Sequence, residues 1–169
     1  MVAELENKSP QRFQWWIGHL QTILNDLESI TVAERPEDLS RYLVVTYRNG
    51  LSVPAWMLSD GTLRLLALTL IAYLPRRDRL FLIEEPENGV HPRAVEAVFQ
   101  PLTSVYGGQV FLATHSTLFM ALAEPEHLLI FGQTPSGATD IVRGPDHPAL
   151  RKWRKEVPLE TLFAAGVLG

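Results

Sequence analysis

The segment Arg79-Leu80-Phe81-Leu82-Ile83-Glu84-Glu85-Pro86-Glu87-Asn88-Gly89-Val90-His91-Pro92 decides how this chain folds. Its apolar run ends in two adjacent carboxylates, Glu84 and Glu85. Such a run is typical of a strand that is buried on both faces of a parallel sheet. Ligands of open α/β sheets bind at the carboxyl ends of these strands. Two acids there are costly unless a cation compensates them, and Mg²⁺ would do so.

A second apolar run, Gln109 to Ala113, ends in Thr114-His115-Ser116. Two parallel strands would therefore bring a carboxylate pair and a histidine to one rim of the sheet. Strand and helix patterns alternate from residue 58 onward, which predicts an α/β fold with a parallel sheet and flanking helices. The predicted helices are 62–74, 92–106, 117–123, 149–156 and 159–165, and the predicted strands are 80–83, 110–113, 127–131 and 139–143.

The region before residue 58 has a different pattern. Ser9-Pro10 is typical of a helix start, and apolar residues then recur at helical spacing, so residues 10–28 are predicted to form an amphipathic helix packed on a core. A short strand is expected at 30–34. We expect one domain over residues 1–169, with a lead-in at 1–57 and the core at 58–169.

The lead-in also contains a predicted antiparallel hairpin. Residues 41–48 and 51–57 flank Asn49-Gly50, a pair that favours a type I′ turn because both central residues must take positive φ. Pro54 cannot donate to a ladder, which places the second strand at a sheet edge.

Composition indicates an ordinary globular domain. The chain has 169 residues, 46% hydrophobic and 20% charged, with a net charge of -4 and no cysteine. The charge argues against a dominant nucleic-acid footprint, and the absence of cysteine excludes disulfides and thiolate metal sites. No secretory signal is visible, and the apolar stretch 63–74 contains Arg64 and is too short to span a bilayer. We expect a cytoplasmic protein without a membrane partner.

These motifs resemble the ATPases of the ABC, SMC, RecF and OLD (overcoming lysogenization defect) type, and the RecF/OLD-like predicted ATPases most closely. Leu80 to Ile83 with Glu84 and Glu85 resemble a Walker B strand. Leu58-Ser59-Asp60-Gly61-Thr62 resembles the ABC signature, although Asp60 stands where the usual motif has Gly. The resemblance covers residues 41–169 and implies a partial P-loop NTPase fold.

The resemblance implies a role for each matching residue. Glu84 would hold Mg²⁺ through water, Glu85 would be the catalytic base, and His115 would contact the γ-phosphate of ATP. The signature residues Ser59, Gly61 and Thr62 would contact a nucleotide held by the opposite subunit. The D-loop would span 87–92, with Glu87, Asn88 and Gly89 as its site residues. From the residues alone, Ser59 or Asp60 is also a good helix cap, and the two roles are compatible.

One part of the pattern is missing from this sequence. A P-loop needs Gly-x-x-x-x-Gly-Lys followed by Ser or Thr, and no Gly here is followed by Lys. The chain therefore resembles the C-terminal half of an ATPase, whether as a truncated reading frame, a piece of a split enzyme or a degenerate relative. Turnover would need a Walker A segment from elsewhere, within a homodimer or from a Walker A-bearing partner, and the isolated chain is expected to be inactive.

The missing strand has a consequence for the sheet. In the family, the Walker A strand lies between the strands that correspond to 110–113 and 127–131. Without it, each of these strands would have an unpaired edge, or the two would close onto each other.

Several alternatives stay open. A non-catalytic interaction or regulatory module that keeps the ATPase fold is the second functional hypothesis; a nuclease effector is disfavoured because no acidic cluster follows residue 120. Glu84, Glu87, His91 and His115 could instead bind Zn²⁺ or Mn²⁺, although no HExxH spacing supports this. The basic residues around Trp153 are Arg151, Lys152, Arg154 and Lys155, and they favour a solvated helix face over nucleic-acid binding.

Overall fold

The computed structural model describes residues 1–75, 78–151, 153 and 157–168. The chain divides into two compact units, Met1–Thr114 and His115–Gly169. Within the described residues, every helix is too short or too polar to cross a membrane. The prediction of one domain with a boundary at residue 57 stays a prediction.

The first unit begins with two helices and an antiparallel sheet. The helices are α1 (Val2–Lys8) and α2 (Pro10–Ile23), and the strands are β1 (Leu27–Glu34), β2 (Arg41–Tyr47) and β3 (Ser52–Pro54), in the order β1-β2-β3. Pro54 lies on the edge strand, as predicted. Helix α2 ends before residue 28 because the chain enters β1 at Leu27.

The hairpin turn between β2 and β3 differs from the predicted type I′ turn. Gly50 has a φ of +85°, but Asn49 does not have a positive φ. The Tyr47 carbonyl accepts a hydrogen bond from the Gly50 amide at 2.8 Å, which is typical of a type I turn followed by a left-handed glycine. Asn49 Oδ1 also accepts from the Leu51 amide at 3.0 Å, and this local bond stabilises the longer loop.

The apolar face of α2 packs into the core, as predicted. Phe13, Trp16, Ile17 and Leu20 are buried. Helix α3 (Asp60–Tyr73) lies against α2. The buried Trp16 indole Nε1 donates to Thr69 Oγ1 of α3 at 2.9 Å, so the polar atoms of both side chains are satisfied where the helices meet.

The parallel sheet has two strands, β4 (Arg79–Glu84) and β5 (Gly108–Ala113), in a register that pairs Glu84 with Ala113. Helix α4 (Val95–Thr103) connects them and packs on α3. Both strands alternate between half-buried and exposed residues. The prediction of burial on both faces is wrong: Leu80, Leu82 and Phe111 are 58%, 75% and 47% exposed. Phe81, on the other face, lies beside the ends of α3 and α4, so only one face of this sheet is covered.

The second unit has a separate antiparallel sheet and a small core. It contains α5 (Thr117–Leu122), β6 (Leu129–Gln133), β7 (Thr139–Arg143) and α6 (Leu159–Ala164). Its core cluster consists of Leu150, Leu159 and Leu168. Of the predicted helix 149–156, residues 149–151 form a turn, and half of the segment, including the basic residues 152, 154 and 155, lies outside the described residues, so nucleic-acid binding stays a prediction.

Strands β5 and β6 each have one strand partner in the described part of the chain. In the described part of the chain, β5 pairs only with β4, and β6 pairs only with β7. The alternative in which β5 and β6 close onto each other stays a prediction, because the two strands belong to separate units. Each strand keeps one edge without a strand partner among the described residues.

Candidate functional site

The carboxyl end of β4 turns sharply into a segment that we call the acidic loop, residues 85–91. Glu85 has a φ of +46°, a left-handed conformation that costs about 1–3 kcal/mol in a residue other than glycine. Its amide donates to the Ala113 carbonyl at 2.8 Å, and its carbonyl accepts from the Asn88 amide at 3.1 Å. These two bonds fix the turn, so the Glu85 backbone is tied both to β5 and to its own loop.

Arg64 of α3 adds a third bond at the same point. Its Nη1 donates to the Glu85 carbonyl at 2.6 Å, across 21 residues of sequence. No sequence motif assigns Arg64 a role in the site. The sequence feature that could have pointed to Arg64 is a single positively charged residue within an otherwise apolar helix, in a chain that also contains an acid pair.

The segment 59–62, which we call the signature segment, opens helix α3. Ser59 is the N-cap residue, and its Oγ accepts from the Thr62 amide at 3.2 Å. Ser59 Oγ and Thr62 Oγ1 are also hydrogen-bonded at 2.9 Å. The predicted capping role of Ser59 is confirmed, and the amino end of α3 remains a favourable place for an anion.

The signature segment touches the acidic loop backbone to backbone. A Cβ added to Gly61 would lie 2.1 Å from the Gly89 carbonyl oxygen, closer than real Cβ contacts occur. Gly89 itself has a φ of +72°, which favours glycine at that position as well. Two motifs that are separate in sequence are therefore in direct contact, and the absence of a side chain at Gly61 permits that contact.

A cavity of about 660 Å³ borders this contact. Its lining includes Ser59, Gly61, Gly89, His91 and, from α2, His19. Burial lowers the pKa of His19 from its ordinary value. The Nδ1 atom of His19 is buried and has no hydrogen-bond partner among the described residues.

The remaining residues of the acidic loop are also placed by hydrogen bonds. Thr114 Oγ1 donates to Glu87 Oε1 at 2.5 Å, which joins the loop to the residue that follows β5. His91 Nδ1 accepts from the Arg93 amide at 3.2 Å and caps the short 3₁₀ helix Pro92–Ala94, as predicted for a helix start. The proton of the neutral imidazole is then on Nε2.

The Glu84 side chain lies on the face of the parallel sheet opposite to the face that α3 and α4 cover. Side chains alternate along a strand, so Glu84 shares the exposed face of Leu80 and Leu82. The Glu84 side chain is exposed and forms no hydrogen bond or ion pair with another described residue. The acid pair that was predicted at one rim is therefore divided between the open face and the loop.

His115 is the first residue of the second unit and is exposed. It is followed by Ser116, whose Oγ accepts from the amides of Leu118 and Phe119 and caps α5. Among the described residues, no three His, Asp or Glu side chains come close enough to bind one metal ion. The alternative zinc or manganese site is therefore not supported.

Residues 5–121 match the family described as "AAA domain, putative AbiEii toxin, Type IV TA system". This chain belongs to that AAA-domain family.

A solved structure is similar to this AAA domain in fold. It comes from work on the structural biochemistry of ATP-driven dimerization and DNA stimulated activation of SMC ATPases. The two share 15% sequence identity with a TM-score of 0.57, over 84% of this chain and 88% of that chain. The comparison with curated proteins finds no match. The chain is thus an AAA domain whose fold resembles that of an SMC ATPase, in agreement with the predicted fold class.

Within the AAA domain, the structure brings the predicted signature segment, the Glu85 backbone and the predicted D-loop residues 87–89 together in one unit. Asn88 is exposed and its amide closes the turn on Glu85. Arg64 and the contact between Gly61 and Gly89 were not foreseen. They depend on how α3 is placed against the end of β4, which no local sequence pattern encodes.

Proposed function

We propose that this chain is the ATP-binding and hydrolysing module of a RecF/OLD-like, ABC-type ATPase. It would supply the signature (Ser59, Gly61, Thr62), the Walker B acids (Glu84, Glu85), the D-loop (Glu87 to Gly89) and the switch histidine (His115), with the Walker A segment coming from elsewhere. We also propose that residues 1–169 act as one ATPase-like domain. The observation that carries the proposal is the backbone contact between Gly61 and Gly89.

That contact supports the proposal because it makes one surface from two motifs. A signature that reaches a nucleotide in the opposite subunit must be held in a fixed position relative to the loop that follows the catalytic acid. Here the fixing contact involves main-chain atoms, which have little freedom to rearrange. Preorganised groups of this kind stabilise a transition state without a reorganisation cost.

The backbone of Glu85 supports the role of catalytic base. Phosphoryl transfer needs positioning and charge compensation more than covalent chemistry. Three hydrogen bonds hold the Glu85 main chain, from Asn88 and Arg64 to its carbonyl and from its amide to Ala113. The position of the Glu85 main chain, from which its side chain extends, is therefore fixed by β5, the acidic loop and α3.

The open position of Glu84 fits a magnesium ligand. Mg²⁺ usually keeps several waters and is held by one or two carboxylates together with substrate phosphates. An exposed carboxylate with no partner among the described residues meets that requirement. When bound, the ion would compensate phosphate charge, and Glu84 would hold it through water.

The uncovered sheet face supports a Walker A segment from elsewhere. Parallel sheets are almost always covered on both faces. Leu80, Leu82 and Phe111 are exposed on the face that also carries Glu84, and β5 has an edge with no strand partner among the described residues. A strand beside β5 followed by a helix over this face would cover the apolar side chains and bring its phosphate-binding loop to Glu84.

We further propose that the module works by nucleotide-dependent association, as a homodimer or with a Walker A-bearing partner. ATP-driven dimerization is named for the SMC ATPases whose fold this chain shares. In such an arrangement the signature segment of one copy would meet the nucleotide held by the other.

The first test is a titration of the purified chain with a fluorescent ATP analogue and Mg²⁺, with native mass recorded in parallel. The proposal expects no saturable binding by the chain alone. Saturable binding that Glu84→Ala removes would refute the need for an external Walker A segment.

The second test uses the chain reconstituted with a Walker A-bearing partner. Glu85→Gln should abolish turnover and preserve nucleotide-dependent association, whereas the exposed control Glu37→Gln should leave both unchanged. Unchanged turnover in Glu85→Gln would contradict the catalytic-base assignment. Association that ignores nucleotide would favour the non-catalytic module instead.

A further inference from the structure

One hydrogen bond joins two parts of the site that are far apart in sequence. Thr114 Oγ1 donates to Glu87 Oε1 at 2.5 Å across 27 residues. The sheet explains why the two residues meet: β4 and β5 are parallel and end side by side, with Glu84 opposite Ala113. The loop after β4 and the residue after β5 therefore leave the sheet at the same edge.

Only one of the two carboxylate oxygens of Glu87 has a hydrogen-bond partner among the described residues. Glu87 Oε2 is buried and has no hydrogen-bond partner among the described residues. A buried acceptor without a partner is destabilising, so stability alone does not favour glutamate at this position. The feature that can explain a glutamate at position 87 is therefore the hydrogen bond that its Oε1 accepts from Thr114.

The bond lies in the middle of a continuous series of contacts. Thr114 is followed directly by His115 in the chain. On the other side, the Val90 amide donates to the Glu87 carbonyl at 2.9 Å, which fixes the turn that contains Gly89. Gly89 in turn is in backbone contact with Gly61.

We infer that Glu87 is a positioning residue that latches the segment carrying His115 to the acidic loop through Thr114. A displacement of that segment then reaches Gly89, and through it the signature residue Gly61, by direct contacts. The significance of His115 as the group that responds to nucleotide rests on the proposed function. The latch itself does not, because it is a property of the chain without nucleotide.

The test follows His115 in the full chain without nucleotide. The imidazole signals of His115, assigned with His115→Gln, are recorded by NMR at one fixed pH for the wild type and for Glu87→Ala, Thr114→Val and their combination. We expect both single variants to move the His115 signals, with no further change in the combination. Hydrogen exchange of the amides of residues 114–116 should become about tenfold faster, which corresponds to about 1.4 kcal/mol.

Conservative variants separate positioning from general destabilisation. Thr114→Ser keeps the hydroxyl donor, and Glu87→Gln keeps an oxygen that can accept from Thr114, so both should retain the wild-type His115 signals. The free energies of unfolding of all variants provide the structural control. His115 signals that stay unchanged in Glu87→Ala and Thr114→Val, in chains that remain folded, would overturn the inference.

A second arm adds Mg²⁺ and ATP to the chain reconstituted with a Walker A-bearing partner. A nucleotide-dependent change at His115 that is lost in Thr114→Val and restored in Thr114→Ser supports both the latch and the proposed function. Loss of the latch signals in the first arm without any nucleotide response refutes the proposed function and leaves the latch standing. A nucleotide response that Thr114→Val does not alter refutes the latch.

Discussion

Replacing Gly61 with alanine tests the contact on which the proposed site depends. The added Cβ would lie 2.1 Å from the Gly89 carbonyl oxygen and 3.2 Å from its carbonyl carbon. Both atoms belong to the backbone, so no rotamer change can relieve the overlap. The acidic loop or the start of α3 must move by at least about 1.3 Å to restore an ordinary contact distance of 3.4 Å.

Two opposing effects set the size of the change. Overpacking of this kind costs about 1–3 kcal/mol, and alanine in place of glycine in a helix returns up to about 1 kcal/mol. We expect Gly61→Ala to lower the free energy of unfolding by about 1–2 kcal/mol. For a chain of this size, that lowers the Tm by about 2–8 °C.

The matched control is Gly18→Ala in α2. A Cβ at Gly18 would meet no atom within 4 Å, so only the helix-propensity gain of about 0.5–1 kcal/mol applies. Thermal and denaturant unfolding of the wild type and both variants should therefore give changes of opposite sign. If Gly61→Ala is as stable as Gly18→Ala, the close approach of the signature segment to the acidic loop is not a property of the molecule.

Three further predictions concern capping, protonation and the open sheet face. Ser59→Ala removes the cap bond to Thr62 and should cost about 1 kcal/mol in chemical denaturation, whereas Ser59→Asp should retain most of the stability. Burial lowers the pKa of His19 in the folded chain, so the unfolded chain binds this proton more tightly. The free energy of unfolding should therefore fall as the pH drops below about 6.5. His19→Gln should flatten this part of the plot of stability against pH. Leu82→Lys places a charge on a side chain that is 75% exposed, so it should change the free energy of unfolding by less than about 0.5 kcal/mol and reduce self-association in sedimentation experiments. An equally strong pH dependence in His19→Gln, or a large loss of stability in Leu82→Lys, would contradict these interpretations.

Local patterns in the sequence predicted most of the elements because each has a local physical cause. The strand 139–143 is found at the predicted residues, and Ser59 caps the helix that follows it. Alternation of apolar residues and the chemistry of caps act over a few residues, so a sequence contains enough information for them.

The features that were missed or mistaken depend on distant parts of the chain. The positive φ of Glu85 is maintained by bonds to Ala113 and Arg64, which lie 28 and 21 residues away by their numbering. No pattern around Glu85 indicates a left-handed residue, because glutamate rarely adopts that conformation. The hairpin is a local exception, since the Asn49 side chain bonds the Leu51 amide and favours a longer loop than the Asn-Gly pair alone predicts.

The wrong prediction about β4 has a different origin, and it bears on function. Its sequence is apolar at every position from Leu80 to Ile83, as expected for burial on two faces, yet only one face is covered in this structure. Because side chains alternate, the same geometry that exposes Leu80 and Leu82 also directs Glu84 to the open face. Whatever covers the apolar side chains must therefore approach Glu84, while the main-chain carbonyl of Glu85 accepts a hydrogen bond from Arg64 of α3. In the ATPase proposed above, the covering segment would bring bound phosphate towards Glu84, so assembly and chemistry would be coupled through the register of a single strand.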